Sequence, residues 1–430
     1  MMEGWKTDKF KNQIQYKSGY TWSKEQELKT QEPNSVRVLT VTNIQKDLDL
    51  SEELYLQGVS EKDKKEKAVS KDWCIAVSSN GNRKRIGNAV FIKDDTDYLF
   101  ASFLTAFKPK DNSEILPDYF FRWLSSHNVQ ERITSVSEGT TGLGNLDIRY
   151  LRNMDIDFPD KSEQSAIAAI LSKVDEAIAS VQASISAAER LKKSLMQNLL
   201  TGRMKPDGTL RKDDEFYVDE KFGKVPLGWE VKKVKDISIQ VTDGEHQTPE
   251  RTETGYYLLS ARNIKNGYLS LDDVDYIPEK ELRRIQQRCN PQEGDILISC
   301  SGTIGNVCTV PYGFVGGMVR SAALVKLNKD KIESPFAELM FQSHFLQNQM
   351  KVSVASSVQG NIFQGAIRNL RLFYPKNKQE RIEIANKINY FNKIITNNAN
   401  KIAVLERLKK SLMQNLLTRR VRVKWKIDNE

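Results

Sequence analysis

Side chains able to read a polar ligand lie in one short turn in the first third of the chain. The turn contains Asn80, Asn82, Arg83, Lys84 and Arg85, and it lies between two predicted strands. Arginine can donate two parallel hydrogen bonds to guanine, asparagine can pair with adenine, and cations neutralise phosphates. The turn is therefore a candidate for contact with nucleic-acid bases or phosphates. The alternative is a basic hairpin tip that is merely solvated.

The second half of the chain offers the same mixture of cationic and bidentate polar side chains in two places. One is the loop at residues 243–251 (DGEHQTPER), and the other is the segment at residues 262–265 (RNIK). The candidate contacts there are His246, Gln247, Arg251, Arg262, Asn263 and Lys265. Isolated surface residues of these types often bind nothing, which is the competing interpretation.

Two further loops combine glycine with small polar donors. They are residues 140–145 (TTGLGN) and 356–361 (SSVQGN), and they occupy matching places in the two halves of the chain. Glycine lets a backbone approach a phosphate closely, and hydroxyl and amide groups supply hydrogen bonds. The alternative is a shared turn that leads into the next helix. The candidate residues are Thr140, Thr141, Asn145, Ser356, Ser357, Gln359 and Asn361.

The sequence lacks the motifs of the enzymes that act on DNA. No Asn-Pro-Pro-aromatic motif of an adenine methyltransferase occurs, because Asn290-Pro291 is followed by Gln-Glu. There is no GxxxxGK[ST] phosphate loop for ATP, and no acidic cluster followed by ExK that would bind magnesium in a nuclease. The segment SGTIGN at residues 301–306 is predicted to be a turn between strands. We therefore expect no catalytic residues in this chain.

Cysteine and histidine give no metal-binding pattern. The cysteines, at positions 74, 289, 300 and 308, lack CxxC spacing, and most lie in or beside apolar, strand-like runs. They are predicted to be buried free thiols. None of the three histidines has a metal-ligand neighbour at i+3 to i+5. No metal site is predicted.

The elements that must position these residues are repeated. The segment ERLKKSLMQNLLT occurs at residues 189–201 and again, letter for letter, at 406–418. A duplication must be found before a fold is assigned. Upstream of each copy, apolar residues recur in steps of four and three, which predicts a long helix that packs against another helix. The two series are Ile167, Leu171, Val174, Ile178, Val181, Ile185, Ala188, Leu191 and Leu195, and Ile384, Ile388, Phe391, Ile395, Asn398, Ile402, Leu405, Leu408 and Leu412.

The first long helix is predicted to run from Ser162, as part of a cap, to about Leu200, before Gly202 stops it. Both helix ends are basic, which the helix dipole favours by itself. Exact retention of the Leu-Met-Gln-Asn-Leu-Leu face suggests in addition an apolar docking surface for a partner helix. Its residues would be Leu195, Met196, Leu199 and Leu200, and Leu412, Met413, Leu416 and Leu417.

A globular block of mixed helix and strand precedes each long helix. In the first block, residues 35–43, 73–78 and 89–93 are predicted strands, and residues 117–126 are a predicted helix with proline in its first turn. The second block repeats the framework with diverged letters, since Gly228-Trp229 echoes Gly4-Trp5. The predicted boundaries are 1–160 and 229–375 for the blocks, 161–203 and 376–420 for the helices, 204–228 for a surface linker, and 421–430 for a tail.

Composition sets the class of partner. The chain has 430 residues and a formal net charge of +9, which favours a polyanion such as nucleic acid. No apolar run approaches the roughly 18 residues that a membrane span needs, and the polar residues 1–11 are not a signal peptide. We expect a cytoplasmic protein with no membrane contact.

The order of variable block, repeated helix, variable block and repeated helix resembles the specificity subunit of type I restriction-modification systems. Three features carry this resemblance, which covers essentially the whole chain. They are the ERLKKSLMQNLLT segments at the ends of the helices, the Gly-Trp pairs at the starts of the blocks, and the Gly-Asn and Pro residues near the ends of the blocks. It implies an α+β fold in which two mixed α/β target-recognition domains are joined by two long antiparallel helices. These helices would form a coiled coil with an internal pseudo-twofold repeat.

The resemblance also implies partners and cofactors. Each recognition domain would read one half of a bipartite site in double-stranded DNA, and the helices would dock two modification subunits that methylate adenine. Two restriction subunits, which combine motor and nuclease, would join them. This chain would hold no cofactor, whereas the assembled complex would use S-adenosylmethionine, and ATP and Mg for restriction.

One departure and two alternatives accompany this interpretation. Gln379-Glu380 stands where the first copy has Glu163-Gln164, with one extra residue after Pro375. One alternative is a coiled-coil scaffold that bridges two protein partners without binding DNA. The other is a fused nuclease or methyltransferase whose motifs differ from those sought.

Overall fold

The chain forms two compact units. The computed structural model describes residues 4–137, 143–355 and 360–423. The first unit comprises Met1–Gln182 and Asn400–Glu430, and the second comprises Ala183–Ala399. Each unit combines helices with β-sheets, so the predicted α+β class is confirmed. Each long helix contributes one part to each unit. The boundaries drawn from the sequence pattern stay a prediction.

In the first unit, the predicted strands at residues 73–78 and 89–93 form with slightly shorter bounds. The predicted strand at 35–43 ends early, and residues 41–43 form a 3-10 turn instead. The strands are β1 (Lys6–Lys9), β2 (Ile14–Ser18), β3 (Glu27–Leu28), β4 (Val36–Leu39), β5 (Tyr55–Leu56), β6 (Cys74–Val77), β7 (Ser79–Asn80), β8 (Ala89–Phe91), β9 (Leu99–Phe100), β10 (Leu104–Pro109), β11 (Gly144–Asn145) and β12 (Asp155–Phe158). The helices are α1 (Phe10–Gln13), α2 (Glu61–Lys67), α3 (Pro117–Leu124), α4 (His127–Val136), α5 (Ile148–Asn153) and the first part of α6 (Lys161–Leu199).

The main sheet of the first unit has the strand order β2-β10-β6-β8, and all neighbouring strands are antiparallel. Its register pairs Ser18 with Thr105 and Val77 with Leu104. Four strand termini therefore lie together at one edge of the sheet, namely the end of β2, the start of β10, the end of β6 and the start of β8. We call this edge the loop end of the sheet. A second sheet, β3-β5-β4-β9, places β9 parallel to β4.

Aromatic packing against α3 fixes the main sheet. Proline at the first position starts α3, and the helix then buries Tyr119, Phe120 and Trp123. Phe10 packs edge to face with Phe107 of β10 at 5.7 Å and with Phe120 at 5.8 Å between ring centres. Each fully buried ring of this kind stabilises the fold by roughly 1.5–3 kcal/mol. The loop end is consequently held by a rigid core.

The second unit repeats this plan with its own elements. The stretch predicted as a linker contains a β-hairpin, β13-β14. The strands are β13 (Phe216–Asp219), β14 (Gly223–Pro226), β15 (Trp229–Lys233), β16 (Ser238–Asp243), β17 (Tyr256–Leu259), β18 (Ile264–Lys265), β19 (Tyr268–Leu269), β20 (Asp275–Ile277), β21 (Ile296–Ser299), β22 (Val307–Thr309), β23 (Gly316–Met318), β24 (Ala322–Leu327) and β25 (Arg371–Pro375). The helices are the last part of α6, α7 (Val234–Ile237), α8 (Glu279–Arg288), α9 (Ser334–Gln342), α10 (His344–Ala355), α11 (Gln364–Asn369) and α12 (Lys378–Leu416), whose last part belongs to the first unit.

The main sheet of the second unit has the order β16-β24-β21-β22 and is antiparallel throughout. Asp243 is paired with Ala323, and Ser299 is paired with Ala322, so the same strand termini meet at its loop end. Beside it, β23 runs parallel to β17, as β9 runs parallel to β4. The internal repeat predicted from the sequence is therefore a repeat of topology.

The two long helices have the same length, 39 residues, and begin with equivalent caps. The Asp160 carboxylate accepts hydrogen bonds from the amides of Ser162 and Glu163, at 2.9 and 3.0 Å. The Asn377 side chain accepts one from the Gln379 amide, at 2.8 Å. Asp160, and not the predicted Ser162, therefore caps α6, because its carboxylate satisfies amides that the helix leaves unpaired.

The helices also end alike. Gly202 follows α6 with φ +68°, and Arg419 follows α12 with φ +64°. Such a left-handed residue ends a helix and normally is glycine. A Cβ at Gly202 would lie 2.2 Å from Pro226 Cγ, so only glycine fits there. Arg419 adopts this strained conformation with its guanidinium group over the ring of Trp5.

Within each unit, parts of the two long helices pack antiparallel. In the first unit, Ile167 and Leu171 of α6 share a core with Leu416 and Leu417 from the end of the other repeat. In the second unit, Leu199 and Leu200 share a core with Ile384 and Ile388 of α12. The start of one helix thus meets the end of the other in both units, as the resemblance implied.

The predicted seam fails at one equivalent position in each helix. Ile178, Val181 and Ile185 are buried as the periodicity requires. Leu191 and Leu408, however, are 54% and 46% exposed. The consecutive steps of three residues rotate the apolar stripe relative to the helix partner, and these leucines are left facing solvent.

None of the helices formed by the described residues combines the length and the apolar character that crossing a membrane requires.

Candidate nucleic-acid interface

Hydrogen bonds gather several loops at the loop end of the first unit. The Ser78 amide donates to the Phe103 carbonyl at 2.9 Å, and the Leu146 amide donates to the Ser78 carbonyl at 2.8 Å. The Ala101 amide donates to the Leu39 carbonyl at 2.8 Å. The loops after β6, after β9, after β4 and before α5 therefore form one surface, which we call the first loop surface.

Two of the predicted loops meet on this surface. Strand β7 pairs with β11, and this sets Asn80 opposite Gly144 and Ser79 opposite Asn145. The sequence placed Asn80 and Asn145 in separate candidate loops, and the structure brings the loops together. Thr140 and Thr141 lie outside the described residues.

The basic turn has one internal arginine and two exposed cations. The Arg85 guanidinium donates to the carbonyls of Val41 and Ile44 at 3.0 and 2.6 Å, so it ties the turn to the loop after β4. Arg85 is half-buried and positions the turn, and its contact with DNA stays a prediction. Arg83 and Lys84 are exposed.

The two asparagines of this turn shape its backbone. The Asn80 side chain accepts from the Asn82 amide at 2.8 Å. The Asn82 side chain accepts from the Lys84 amide at 3.1 Å. Each keeps its side-chain nitrogen for another acceptor, since only the oxygen is used in these bonds.

The first loop surface is cationic. Residues 18–22, 39–46, 78–91, 101–105 and 143–146 contain lysine and arginine and no aspartate or glutamate, and the nearest acidic residues in these loops are Asp47, Asp49 and Asp147. Lys46 forms an ion pair with Glu406 of the repeated helix. For Arg83 and Lys84 the described residues supply no carboxylate within ion-pair distance. Such a surface favours the binding of phosphate groups.

The second unit builds the same surface from equivalent hydrogen bonds. The Cys300 amide donates to the Ser321 carbonyl at 2.8 Å, and the Ile362 amide donates to the Cys300 carbonyl at 3.2 Å. The Val319 amide donates to the Leu259 carbonyl at 2.9 Å. We call this the second loop surface. Residues 301–306 form a turn between β21 and β22, as predicted.

Several cations of the second loop surface are held by carboxylates. Asp243 pairs with Arg288 at 2.7 Å and with His246 at 2.8 Å. Burial opposes ionisation of Asp243, but the hydrogen bonds from Arg288 and His246 outweigh it and lower the pKa of the carboxyl.

A second acidic centre holds two of the predicted arginines. Asp275 pairs with Arg251 at 3.0 Å and with Arg262 at 2.7 Å. Burial again opposes ionisation, while the hydrogen bonds from Arg251 and Arg262 outweigh it and lower the pKa of Asp275. These guanidinium groups are thus oriented by a carboxylate, which favours directional contact over diffuse attraction to phosphate.

The remaining candidates in this unit have different roles. Asn263 is buried; it accepts from the Ser260 amide at 2.9 Å and donates to the Ser270 and Asp273 carbonyls. It holds its loop together and leaves the set of predicted contacts. Gln247 is exposed, whereas Lys265 and Asn361 are half-buried. Ser356, Ser357 and Gln359 lie outside the described residues.

The predicted partner-docking leucines divide into two classes. Leu199, Leu200, Leu416 and Leu417 are buried in the cores of the units, so their identity in both repeats is explained by internal packing. Because they are buried, these four leucines are not available to a docking partner. Leu195, Met196, Leu412 and Met413 are half-buried at the edges of the same cores.

Another part of the repeated segment is identical and exposed. An internal core does not require identity at solvent-facing positions, which makes this face the better candidate for a partner. Its residues are Glu189, Arg190, Leu191, Lys193, Ser194 and Gln197 in the first copy and Glu406, Arg407, Leu408, Lys410, Ser411 and Gln414 in the second.

Cysteine, histidine and acidic residues form no metal-binding group within the described residues. All four cysteines are buried free thiols, as predicted. Burial raises the pKa of Cys289, Cys300 and Cys308 to about 12, and raises that of Cys74 as well. These thiols are therefore inert at neutral pH.

Comparison with known proteins gives one family. The model of the type I restriction modification DNA specificity domain matches residues 2–190 and 226–407, once for each unit's recognition block. The MjaVIII specificity subunit of Methanocaldococcus jannaschii is 22% identical over 336 residues, which cover 74% of either chain. The MjaIX specificity subunit of the same organism is 25% identical over 395 residues, covering 88% of this chain and 86% of that one.

Solved structures agree on the fold. The S subunit of a type I restriction-modification system from M. genitalium superposes with a TM-score of 0.59 at 17% identity, over 97% of each chain. A chain from a structure titled for complex assembly and conformational transition of the type I R-M system gives a TM-score of 0.52 at 13% identity, over 96% of this chain and 98% of that one. The two matched blocks span well over half of the chain, and the protein belongs to the type I restriction-modification DNA specificity family.

Proposed function

We propose that this chain is the non-catalytic subunit that selects the DNA sequence for a type I restriction-modification enzyme, with each unit reading one half of a bipartite site. The observation that carries the proposal is the pair of loop surfaces. Equivalent hydrogen bonds build both surfaces, yet the side chains they present differ. Two unlike readers in one chain call for a site with two unlike halves.

The electrostatics support a division of labour on each surface. The first loop surface offers the exposed cations Arg83 and Lys84, for which the described residues supply no carboxylate partner, and this suits phosphate contact. The second offers arginines oriented by Asp243 and Asp275, which suits hydrogen bonds to base edges. Each recognition domain would combine both kinds of contact with the polar groups around it.

The chemistry would reside in bound partners. We propose that two modification subunits dock on the exposed, identical face of the repeated segment, one for each copy. S-adenosylmethionine would be held by those subunits, and ATP and Mg by two restriction subunits. The thiols of this chain are inert, and the described residues form no group of metal ligands. The chain would contribute sequence selection and positioning.

One experiment tests the assignment of halves. Methylated adenines are mapped in cells with and without this chain, and then in cells where residues 1–159 are exchanged for another recognition block. We expect methylation at a split motif only when the chain is present. The exchange should alter one half of the motif and leave the other unchanged. A change in both halves, or in neither, contradicts the proposal.

A second measurement separates DNA reading from a protein scaffold. The complex assembled with modification subunits is titrated with duplex DNA at increasing salt. Phosphate neutralisation predicts that the logarithm of affinity falls linearly with the logarithm of salt concentration. A scaffold whose basicity is incidental would show no sequence-specific binding at any salt.

A further inference from the structure

We propose that one short turn, present in both units and not identified from the sequence, carries the central base-reading side chain of each recognition domain. In the first unit it is residues 101–104, with Phe103 as the reader, and in the second it is residues 319–322, with Arg320 as the reader. Phe103 would contact the 5-methyl group of a thymine, and Arg320 would donate to the major-groove edge of a guanine. This inference rests on the proposed function.

The two turns are structurally equivalent. The Leu104 amide donates to the Ala101 carbonyl at 2.9 Å, and the Ala322 amide donates to the Val319 carbonyl at 3.0 Å. Each turn follows a strand that runs parallel to its neighbour, β9 or β23, and each leads into the second strand of the main sheet, β10 or β24. The turns have equal length, and their hydrogen bonds align Phe103 with Ser321 and Ser102 with Arg320, so the proposed readers stand at neighbouring positions of the same turn.

Each turn lies in the middle of its loop surface. The Phe103 carbonyl accepts from the amides of Ser78 and Ser79, at 2.9 and 3.1 Å, and Ser79 is paired with Asn145. The Ser321 carbonyl accepts from the Cys300 amide at 2.8 Å, and Cys300 accepts from Ile362. In the first unit the turn therefore connects the loop after β6 with the loop before α5. In the second unit it connects the loop after β21 with the loop before α11.

The backbone of both turns is held rigidly. A Cβ at Gly19 would lie 2.0 Å from the Ala101 carbonyl oxygen, and a Cβ at Gly244 would lie 2.3 Å from the Met318 carbonyl oxygen. Glycine is required at both places because another backbone segment packs directly against the start of the turn. A side chain on so fixed a backbone can be aimed at one base without a large loss of conformational entropy.

Among the described residues of the first loop surface, Phe103 and Leu143 are the exposed large apolar residues, and Phe103 is the more exposed of the two. Its side chain is 53% exposed, and the loop to which its carbonyl is hydrogen-bonded carries the exposed cations Arg83 and Lys84. A single exposed phenylalanine is ordinary on a protein surface. Here it lies between polar groups suited to phosphates and base edges, and the thymine methyl group is the apolar feature that the major groove of DNA offers.

Arg320 differs from its arginine neighbours in that no carboxylate of the described residues pairs with it. Arg251, Arg262, Arg284 and Arg288 are paired with aspartate or glutamate. Arg320 is exposed, and among the described residues its guanidinium group makes no hydrogen bond or ion pair. Its amide donates to the Glu245 carbonyl at 3.0 Å, so its backbone is fixed while its fork of donors stays available to a guanine.

Modified bases test both assignments on the assembled complex with modification subunits. Once the motif is known from methylation mapping, each thymine of the first half-site is replaced in turn by deoxyuridine, which lacks only the methyl group. One replacement should weaken binding about four-fold, the effect of one buried methyl group. The variant Phe103→Ala should bind the thymine and deoxyuridine duplexes equally.

The second half-site is tested with 7-deazaguanine, which removes the N7 acceptor. One such replacement should weaken binding by the wild type roughly ten-fold, within the range of a bidentate pair. Arg320→Ala should be insensitive to it. Arg320→Lys should keep affinity for DNA in general while losing part of the preference for guanine, because lysine lacks the fork geometry.

The two variants are controls for each other. Phe103→Ala should leave the response to 7-deazaguanine unchanged, and Arg320→Ala should leave the response to deoxyuridine unchanged. Tyr312→Ala, at a residue that is 88% exposed on the loop between β22 and β23, should change neither response. If the wild type binds its motif but no base replacement discriminates it from the variants, the assignment of the turn is overturned while the proposed function stands. If the assembled wild type shows no site preference, the proposed function itself fails.

Discussion

The guanidinium group of Arg211 lies over the ring of Trp229, with 5.6 Å between the guanidinium carbon and the ring centre. Arg211 also forms an ion pair with Glu380 in the first turn of α12, and the Trp229 indole donates to the same carboxylate at 3.2 Å. The segment that follows α6 therefore holds both the start of the second recognition block and the start of the other long helix.

The first unit has the same arrangement with its roles divided between two residues. Arg419 lies over Trp5 with its guanidinium carbon 5.5 Å from the ring centre, and Arg422 pairs with Glu163 at 2.8 Å. Glu380 is thus the structural equivalent of Glu163, whereas the sequence alignment set it beside Gln164. The extra residue after Pro375 brings the two helices back into register.

Replacing Arg211 should destabilise the second unit. Its ion pair with Glu380 is largely buried, and removing one partner leaves the other charge without compensation. We expect Arg211→Ala to cost about 3 kcal/mol of unfolding free energy. Arg211→Lys should recover only part of the loss because it cannot cover the indole in the same way. Thermal unfolding followed by tryptophan fluorescence measures the effect. Arg203→Ala, at an exposed neighbour, should be neutral, and an equal loss there would contradict this explanation.

Asp175 should make the first unit sensitive to acid. Burial opposes its ionisation, but hydrogen bonds from Lys409 and Arg122 outweigh this and lower the pKa of the carboxyl below 3.8. A pKa lower in the folded than in the unfolded state gives stability that is present above pH 3.8 and lost as pH falls through the folded pKa. The variant Asp175→Asn should be less stable near pH 7 and should lose less stability between pH 5 and 2.5 than the wild type. Chemical denaturation across this range tests the sign, and parallel curves would refute it.

The cations of the basic turn should separate into two functions. Arg83→Ala combined with Lys84→Ala should reduce the slope of log affinity against log salt by about two, one for each phosphate contact, without loss of thermal stability. Arg85→Ala should instead cost about 2 kcal/mol of stability, because two carbonyls lose a charged donor. DNA titration and thermal unfolding of the double variant and of Arg85→Ala distinguish these outcomes. Unchanged salt dependence in the double variant would remove Arg83 and Lys84 from the interface.

The long helices were predictable because their apolar pattern persists over many turns. The first was expected at about 162–200 and is found at Lys161–Leu199. The seam fails only at Leu191 and Leu408, where two steps of three residues turn the stripe away, and periodicity alone does not say which side the helix partner occupies. The globular blocks were predictable in class and in their repeat, since strand and turn composition survives divergence.

The candidate site was only partly predictable. A run of polar letters located the turn at residues 80–85, but it did not show that Arg85 points inward to two carbonyls or that Asn263 closes its own loop. Phe103 and Arg320 lie in turns too short to have a composition signal. Their importance depends on hydrogen bonds between segments far apart in sequence, which a single sequence does not encode locally.

Leu191 and Leu408 should be required for partner docking and dispensable for folding. Because both side chains are about half exposed, Leu191→Asp and Leu408→Asp should each change stability by less than about 0.5 kcal/mol. The double variant should fail to bind modification subunits, and each single variant should bind one in place of two. Native mass spectrometry of the mixed subunits gives the stoichiometry. Val218→Asp, at an exposed residue of β13 outside the repeated segment, is the matched control. Full assembly by the double variant would show that the partner docks elsewhere.

Lengthening both helices should lengthen the gap between the half-sites. Seven residues preserve the heptad pattern and add about 10 Å to a helix, which is about three base pairs of DNA. The insertion is placed after Gln182 in α6 and after Ala399 in α12, where the compact units divide. Methylation mapping should then find the same two half-sites separated by about three more base pairs. Seven residues inserted after Glu220, in the turn of the β13-β14 hairpin, should leave the gap as it is. If the gap stays constant when both helices grow, the helices do not set the spacing, and another element must hold the recognition domains on the DNA.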